Sequence, residues 1–160
     1  MPVVNVSFDD AQRFIEWLSR KSGKHYRLPY ESEWGHLALG GRGTKYPWGN
    51  KLLRNRTNCL ECGSKWDGRS PSPVRTFTPN DYGLFDPVGN VAQWVAPDPD
   101  STSAAPSRCA GKRAQAAIFG ASWADRAQFL ETTEATCFPR VLRDDTIGFR
   151  VVEAGPVNDS

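Results

Sequence analysis

With 160 residues and a formal net charge of +2, the chain has the length of one domain with a sizeable core and lacks the charge excess of a nucleic-acid binder. Hydrophobic residues at 39% and charged residues at 24% exclude a disordered chain, and no apolar run is long enough to span a bilayer. No leader pattern opens the sequence, so a cytosolic protein free of membrane and nucleic acid is the default expectation.

Residues 2–6, PVVNV, form a short apolar run and predict a strand. Ser7 then has the character of an N-cap, with Asp9 and Asp10 in the first turn where the helix dipole favours acids. Ala11, Phe14, Ile15 and Leu18 follow at helical spacing, and Gly23 ends the element. A second helix is predicted in RLPYESEWGHLALGG, with Pro29 near its start, Gly40 and Gly41 at its end, and Trp34, Leu37 and Ala38 on one face.

From Tyr46 to Asn80 no period is sustained, yet Trp48, Trp66 and the prolines argue against disorder. Six Trp, twelve Pro and fourteen Gly point to a core built from aromatics in ordered loops. Residues 97–112 are small, polar and Pro-rich and predict an exposed loop. Residues 118–123 and 146–152 predict strand segments. Between the irregular segment and that loop, YGLFDPVGNVAQWV places Gly89 and Asn90 inside an apolar, aromatic run, where they break both helical and strand periodicity.

Seven segments occur in an order that resembles one family: PVVNVSFDDAQRFIEWL, YRLPYESEW, YPWGN, NCLECGSKWDG, YGLFDPVGNVAQW, GASW and IGFRVV. They are similar to the formylglycine-generating enzymes, or sulfatase-modifying factors. The resemblance implies an α+β fold of the C-type lectin-like type, with two short helices, few short antiparallel strands and much ordered loop. It would form a single domain over 1–155 with a tail at 156–160. Family domains usually begin well before the PVVNVS segment. The chain is therefore expected to be a C-terminal fragment, or to leave a sheet edge for a partner strand.

The resemblance also implies two calcium sites, calcium being an ion that takes several oxygen ligands. The first would use the side chains of Asn58 and Asp67 with the carbonyls of Cys59 and Arg69. As ordinary turn formers, Asn58 and Asp67 would instead cap their own backbone. The second would use Asp86 with the carbonyls of Gly89 and Val91 and a family Glu that is Gln93 here. A direct hydrogen bond between Asp86 and Gln93 is the alternative.

In the oxygen-dependent enzymes of the family, two cysteines five apart bind copper(I). Those positions fall on Asp125 and Leu130, neither of which is a soft thiolate ligand, so no copper is expected. The C-x-x-C at Cys59 and Cys62 could be half a zinc site, a redox pair or structural. The structural role is favoured, as a disulfide or a packed thiol, and four cysteines leave three pairings open. His36 is expected to be packed or solvated, and Arg150 to tie the last strand to a carboxylate.

The resemblance, with its copper positions replaced, implies a non-catalytic, lectin-like scaffold that binds an unknown protein or small molecule. Its expected surface is Asp125, Arg126, Gln128, Phe129, Glu131, Glu134, Phe138, Arg140 and Arg143. Two alternatives accompany it. One is a diverged oxidoreductase akin to the iron-dependent sulfoxide synthases. The other is an accessory subunit completed by a partner.

Overall fold

The computed structural model describes residues 1–99, 109, 111–131 and 135–155. Most of the expected 97–112 loop, the 156–160 tail and Glu134 lie outside them. Helix α1 (Phe8–Ser22) is set by its first turn. The Asp10 N–H donates to Ser7 Oγ at 3.1 Å, and the Ser7 N–H donates to Asp10 Oδ2 at 3.0 Å. Gly23 ends the helix at φ 69°, a conformation that glycine adopts without strain.

Strand β1 (His25–Arg27) follows, then helix α2 (Glu31–Leu39). Glu33 accepts the Tyr30 N–H at 2.8 Å at the start of α2, and Arg27 grips the same carboxylate at 2.6 and 2.7 Å. Strands β2 (Ala92–Val95), β3 (Gln115–Phe119), β4 (Thr136–Pro139) and β5 (Ile147–Phe149) form one sheet in the order β4-β3-β2-β5. A 3-10 turn (Ala127–Glu131) lies between β3 and β4. Strand β6 (Val152–Ala154) pairs antiparallel with β1 in a second, two-stranded sheet.

Two expectations need correction. The main sheet is mixed, because β2 and β5 run parallel, with Ala92 opposite Ile147 and Trp94 opposite Phe149. Residues 2–6 form no strand: Asn5 takes φ 57° and its N–H donates to the Asp144 carbonyl at 2.9 Å, so the segment turns where a strand would extend.

The sheet divides the core by the two-residue period of a strand. Ala92 and Trp94 of β2 pack with Phe8, Ala11 and Ile15 of α1. Val95, Ala117 and Phe119 pack on the other side with Trp34, Ala38 and Leu130. Trp94 is fully buried and its Nε1–H donates to the Val6 carbonyl at 2.9 Å, which satisfies its polar edge.

The long irregular segment is ordered by polar side chains that close onto backbone. Asn80 donates to the Leu37 and Ala38 carbonyls at the end of α2 and accepts the N–H groups of Tyr82 and Leu84. Gly89 and Asn90 stitch three loops together. The Gly89 N–H donates to the Gly120 carbonyl at 2.6 Å, and the Asn90 N–H to the Asn58 carbonyl at 2.7 Å. The Asn90 carbonyl accepts from the Trp123 N–H at 2.8 Å. The Asn90 side chain exchanges two hydrogen bonds with the Ser72 backbone. Gly89 sits at φ 74°, and a Cβ there would lie 2.7 Å from the Asn58 carbonyl oxygen. The glycine is a packing requirement, and the asparagine does what a strand ladder does elsewhere.

Candidate functional site

Described residues of the sheet and of the connections between β3 and β5 line a pocket of about 290 Å³. Its walls include Phe119, Phe129, Phe138, Leu142 and Ile147, and Asp125 and Asp144 also line it. Asp125 closes a tight turn, its Oδ2 accepting the Ser122 N–H at 2.7 Å and the Ser122 hydroxyl at 2.6 Å. Asp144 accepts the N–H of Thr146 at 2.8 Å, and the Thr146 hydroxyl donates to the same oxygen. Those bonds hold the Asp144 carboxyl below its ordinary pKa.

Three of the expected surface residues meet at this pocket: Asp125, Phe129 and Phe138. Phe129 is 49% exposed, so part of its ring is open to solvent at the pocket. The rest are placed elsewhere. Arg140 donates twice to Asp9 at 3.0 and 2.6 Å, and Arg143 grips both oxygens of Asp10 at 2.8 and 2.9 Å. Both arginines therefore clamp the loop to the first turn of α1. Glu131 accepts from Lys45 at 3.0 Å and from the Tyr46 hydroxyl at 2.8 Å. Burial, with that acceptor alongside, pushes the Tyr46 phenol up to about 12. Arg126 and Gln128 are exposed and do not line the pocket.

Sequence reasoning missed Asp144, Thr146, Leu142 and Thr136 as pocket residues. Asp144 has the local character of a turn former, which it also is. Its place beside β3 and β4 depends on the parallel β2–β5 pairing, which carries no local signal.

The copper positions of the resemblance are chemically unsuited. Asp125 is a hard oxygen donor, and Leu130 is 2% exposed among Trp34, Val95 and Ala127 in the core. Cys59 is bonded to Cys62 and Cys109 to Cys137, with Cα separations of 5.2 and 5.8 Å, and no cysteine of the chain is free. The C-x-x-C is thus a buried disulfide, not half of a zinc site.

The first calcium set is arranged as a turn. Asn58 Oδ1 accepts the Ser64 hydroxyl at 2.7 Å, and its amide donates to the Ser70 carbonyl. The two Asp67 oxygens accept the Glu61 and Gly63 N–H groups at 2.7 and 2.6 Å. A cation here would have one carboxylate, already engaged, and would have to displace these bonds.

At the second set, Arg150 lines the same cavity as Asp86, Gly89, Val91 and Gln93 and brings a positive charge beside them. Its Nε donates to Gln93 Oε1 and its guanidinium to the Phe85 and Asp86 carbonyls, while its face rests 5.1 Å from the centre of the Trp34 ring. Gln93 donates to the Asp86 carbonyl rather than its carboxylate. Asp86 Oδ2 accepts the Arg75 N–H at 2.8 Å, and Oδ1 is buried without a partner. Desolvation raises the Asp86 carboxyl and lowers the Arg150 guanidinium to about 10. With Gln93 committed to an arginine, the donor set does not fit a divalent ion.

No helix among the described residues is long and apolar enough to cross a membrane.

Residues 1–155 match the family described as Sulfatase-modifying factor enzyme 1-like domain. The inactive C-alpha-formylglycine-generating enzyme 2 of Bos taurus is 36% identical over 168 residues, a match covering 93% of this chain and 49% of that protein. The formylglycine-generating enzyme of Thermomonospora curvata is 40% identical over 109 residues, covering 59% of this chain and 33% of that one. The chain thus spans half or less of the length of these curated relatives. Among solved structures, PvdO from Pseudomonas aeruginosa superposes with a TM-score of 0.77 at 29% identity, over 94% of this chain and 61% of that one. The Treponema denticola variable protein 1 also superposes at 0.77, with 26% identity over 94% and 70% of the two chains.

Proposed function

The chain belongs to the sulfatase-modifying factor family, and on that premise we propose that it is a non-catalytic member that uses the loop pocket beside β3 and β4 for recognition. The observation that carries this is the fate of the sulfur chemistry. One copper position is a carboxylate fixed by Ser122, the other is a leucine in the core, and all four cysteines are consumed in two disulfides. With all four so paired, none remains as a thiolate that would bind copper(I). Support also comes from the relative named inactive, whose match covers nearly the whole chain.

Recognition fits the remaining geometry. The pocket walls are held by clamps at both ends, Arg140 and Arg143 on α1 at one end and the Asp125–Ser122 turn at the other. An exposed Phe129 on such a fixed frame is the arrangement of a binding loop. Two disulfides, one of them partly exposed, also suit an oxidising compartment better than the cytosolic default.

Thiol counting tests the proposal. The chain, unfolded in guanidinium without reductant, should give no reaction with a thiol reagent. A full equivalent of thiol from Cys109 or Cys137 would return a copper-binding role to consideration.

A further inference from the structure

The pocket is chemically one-sided. Among the described residues, the charged side chains that line it are Asp125 and Asp144, both acidic, and the remaining lining is apolar but for Gly120, Thr136 and Thr146. Each carboxylate is held by a hydroxyl and an N–H on one oxygen, and neither forms an ion pair with a described residue. The arginines of the same loop are turned away, fixed on Asp9 and Asp10. Three phenylalanines, Phe119, Phe129 and Phe138, also line it.

Given the recognition role proposed above, we infer that this pocket takes a small molecule with an apolar body and a single ammonium group. Uncompensated carboxylates at an apolar pocket are complementary to a cation and reject an anion. Phenylalanine faces add attraction for an ammonium ion. Hydrogen bonds from Thr146 keep the Asp144 carboxyl below its ordinary range, so it is charged at neutral pH. A volume of about 290 Å³ lies at the small end of ligand clefts and holds a whole small molecule.

The test is a ¹⁵N NMR titration with three probes of matched size: phenethylamine, 2-phenylethanol and 3-phenylpropionate. Phenethylamine should give saturable shifts at the amides of Gly120, Ala121, Thr136 and Thr146. The alcohol should bind about tenfold more weakly, and the acid more weakly still. Asp144→Asn and Asp125→Asn keep an acceptor for Thr146 and Ser122, and the spectrum itself reports whether each is folded. Each should weaken the amine about tenfold and leave the alcohol unchanged.

Equal binding of alcohol and amine, or preference for the acid, would overturn the ammonium assignment while leaving a binding pocket in place. Saturation by none of the three would also overturn it. Neither outcome touches the thiol count, on which the loss of family chemistry stands, so the two failures are distinguishable.

Discussion

Asn90→Ala should be among the most damaging single changes on a loop of this protein. Asn90 is 1% exposed and Ser72 is fully buried. The Asn90 Oδ1 accepts the Ser72 N–H at 2.8 Å and its amide donates to the Ser72 carbonyl at 3.2 Å. Alanine would orphan both Ser72 groups, each at a cost of about 1–3 kcal/mol. Asn90 also sits at φ 65°, where alanine is strained by about 1–2 kcal/mol. The total is about 5 kcal/mol, and at about 2–4 °C per kcal/mol for a chain of this size the Tm should fall by roughly 10–20 °C. Asn90→Gly loses the same hydrogen bonds but tolerates the left-handed conformation, so it should melt a few degrees above Asn90→Ala. Differential scanning calorimetry of both variants measures this. A loss below about 1 kcal/mol in both would refute the role given to the Asn90–Ser72 exchange.

Further outcomes are expected elsewhere in the molecule. Replacing Cys109 and Cys137 together with Ser opens a loop of 28 residues and should cost roughly 3.5 kcal/mol by chain entropy, read from denaturant melts. The Asp10 carboxyl, lowered to about 2 by the Ser7 N–H and Arg143, contributes stability present above the ordinary carboxylate range and lost as pH falls from about 3.8 toward 2. Asp10→Asn should flatten that acid limb in pH-dependent melts. Asp86 has the opposite sign: its raised pKa makes the folded state hold the proton more tightly, so wild type should lose ground to Asp86→Asn as pH rises through the carboxylate range. Because the oxygens of Asn58 and Asp67 are engaged in local bonds, exchanging calcium for a chelator should leave the Tm unchanged within about 1 °C.

Local chemistry made the helices legible. Ser7, Asp10 and Gly23 cap α1 where their residue types direct, and Gly40 ends α2 at φ 64°. The ordered segment motifs were enough to place the fold. What escaped were partners far apart in sequence. Arg140 and Arg143 look like free surface cations in their own loop, yet their carboxylates lie some 130 residues away. Residues 2–6 have the composition of a strand, and only the Asp144 carbonyl that receives the Asn5 N–H shows why they turn. Asp144 has the local signal of a turn former and becomes a pocket wall only once β5 lies parallel to β2. The Gly89–Asn90 break could be seen in the sequence, but its three target loops could not.

The most direct measurement is mass spectrometry of a sulfatase-type cysteine peptide incubated with the protein, copper(I) and oxygen, beside an active formylglycine-generating enzyme. The expected result is a peptide of unchanged mass in the presence of this protein and a converted one in the control. Conversion of cysteine to formylglycine by this chain would contradict the central claim, because Asp125, Leu130 and two disulfides leave no thiolate pair to activate oxygen.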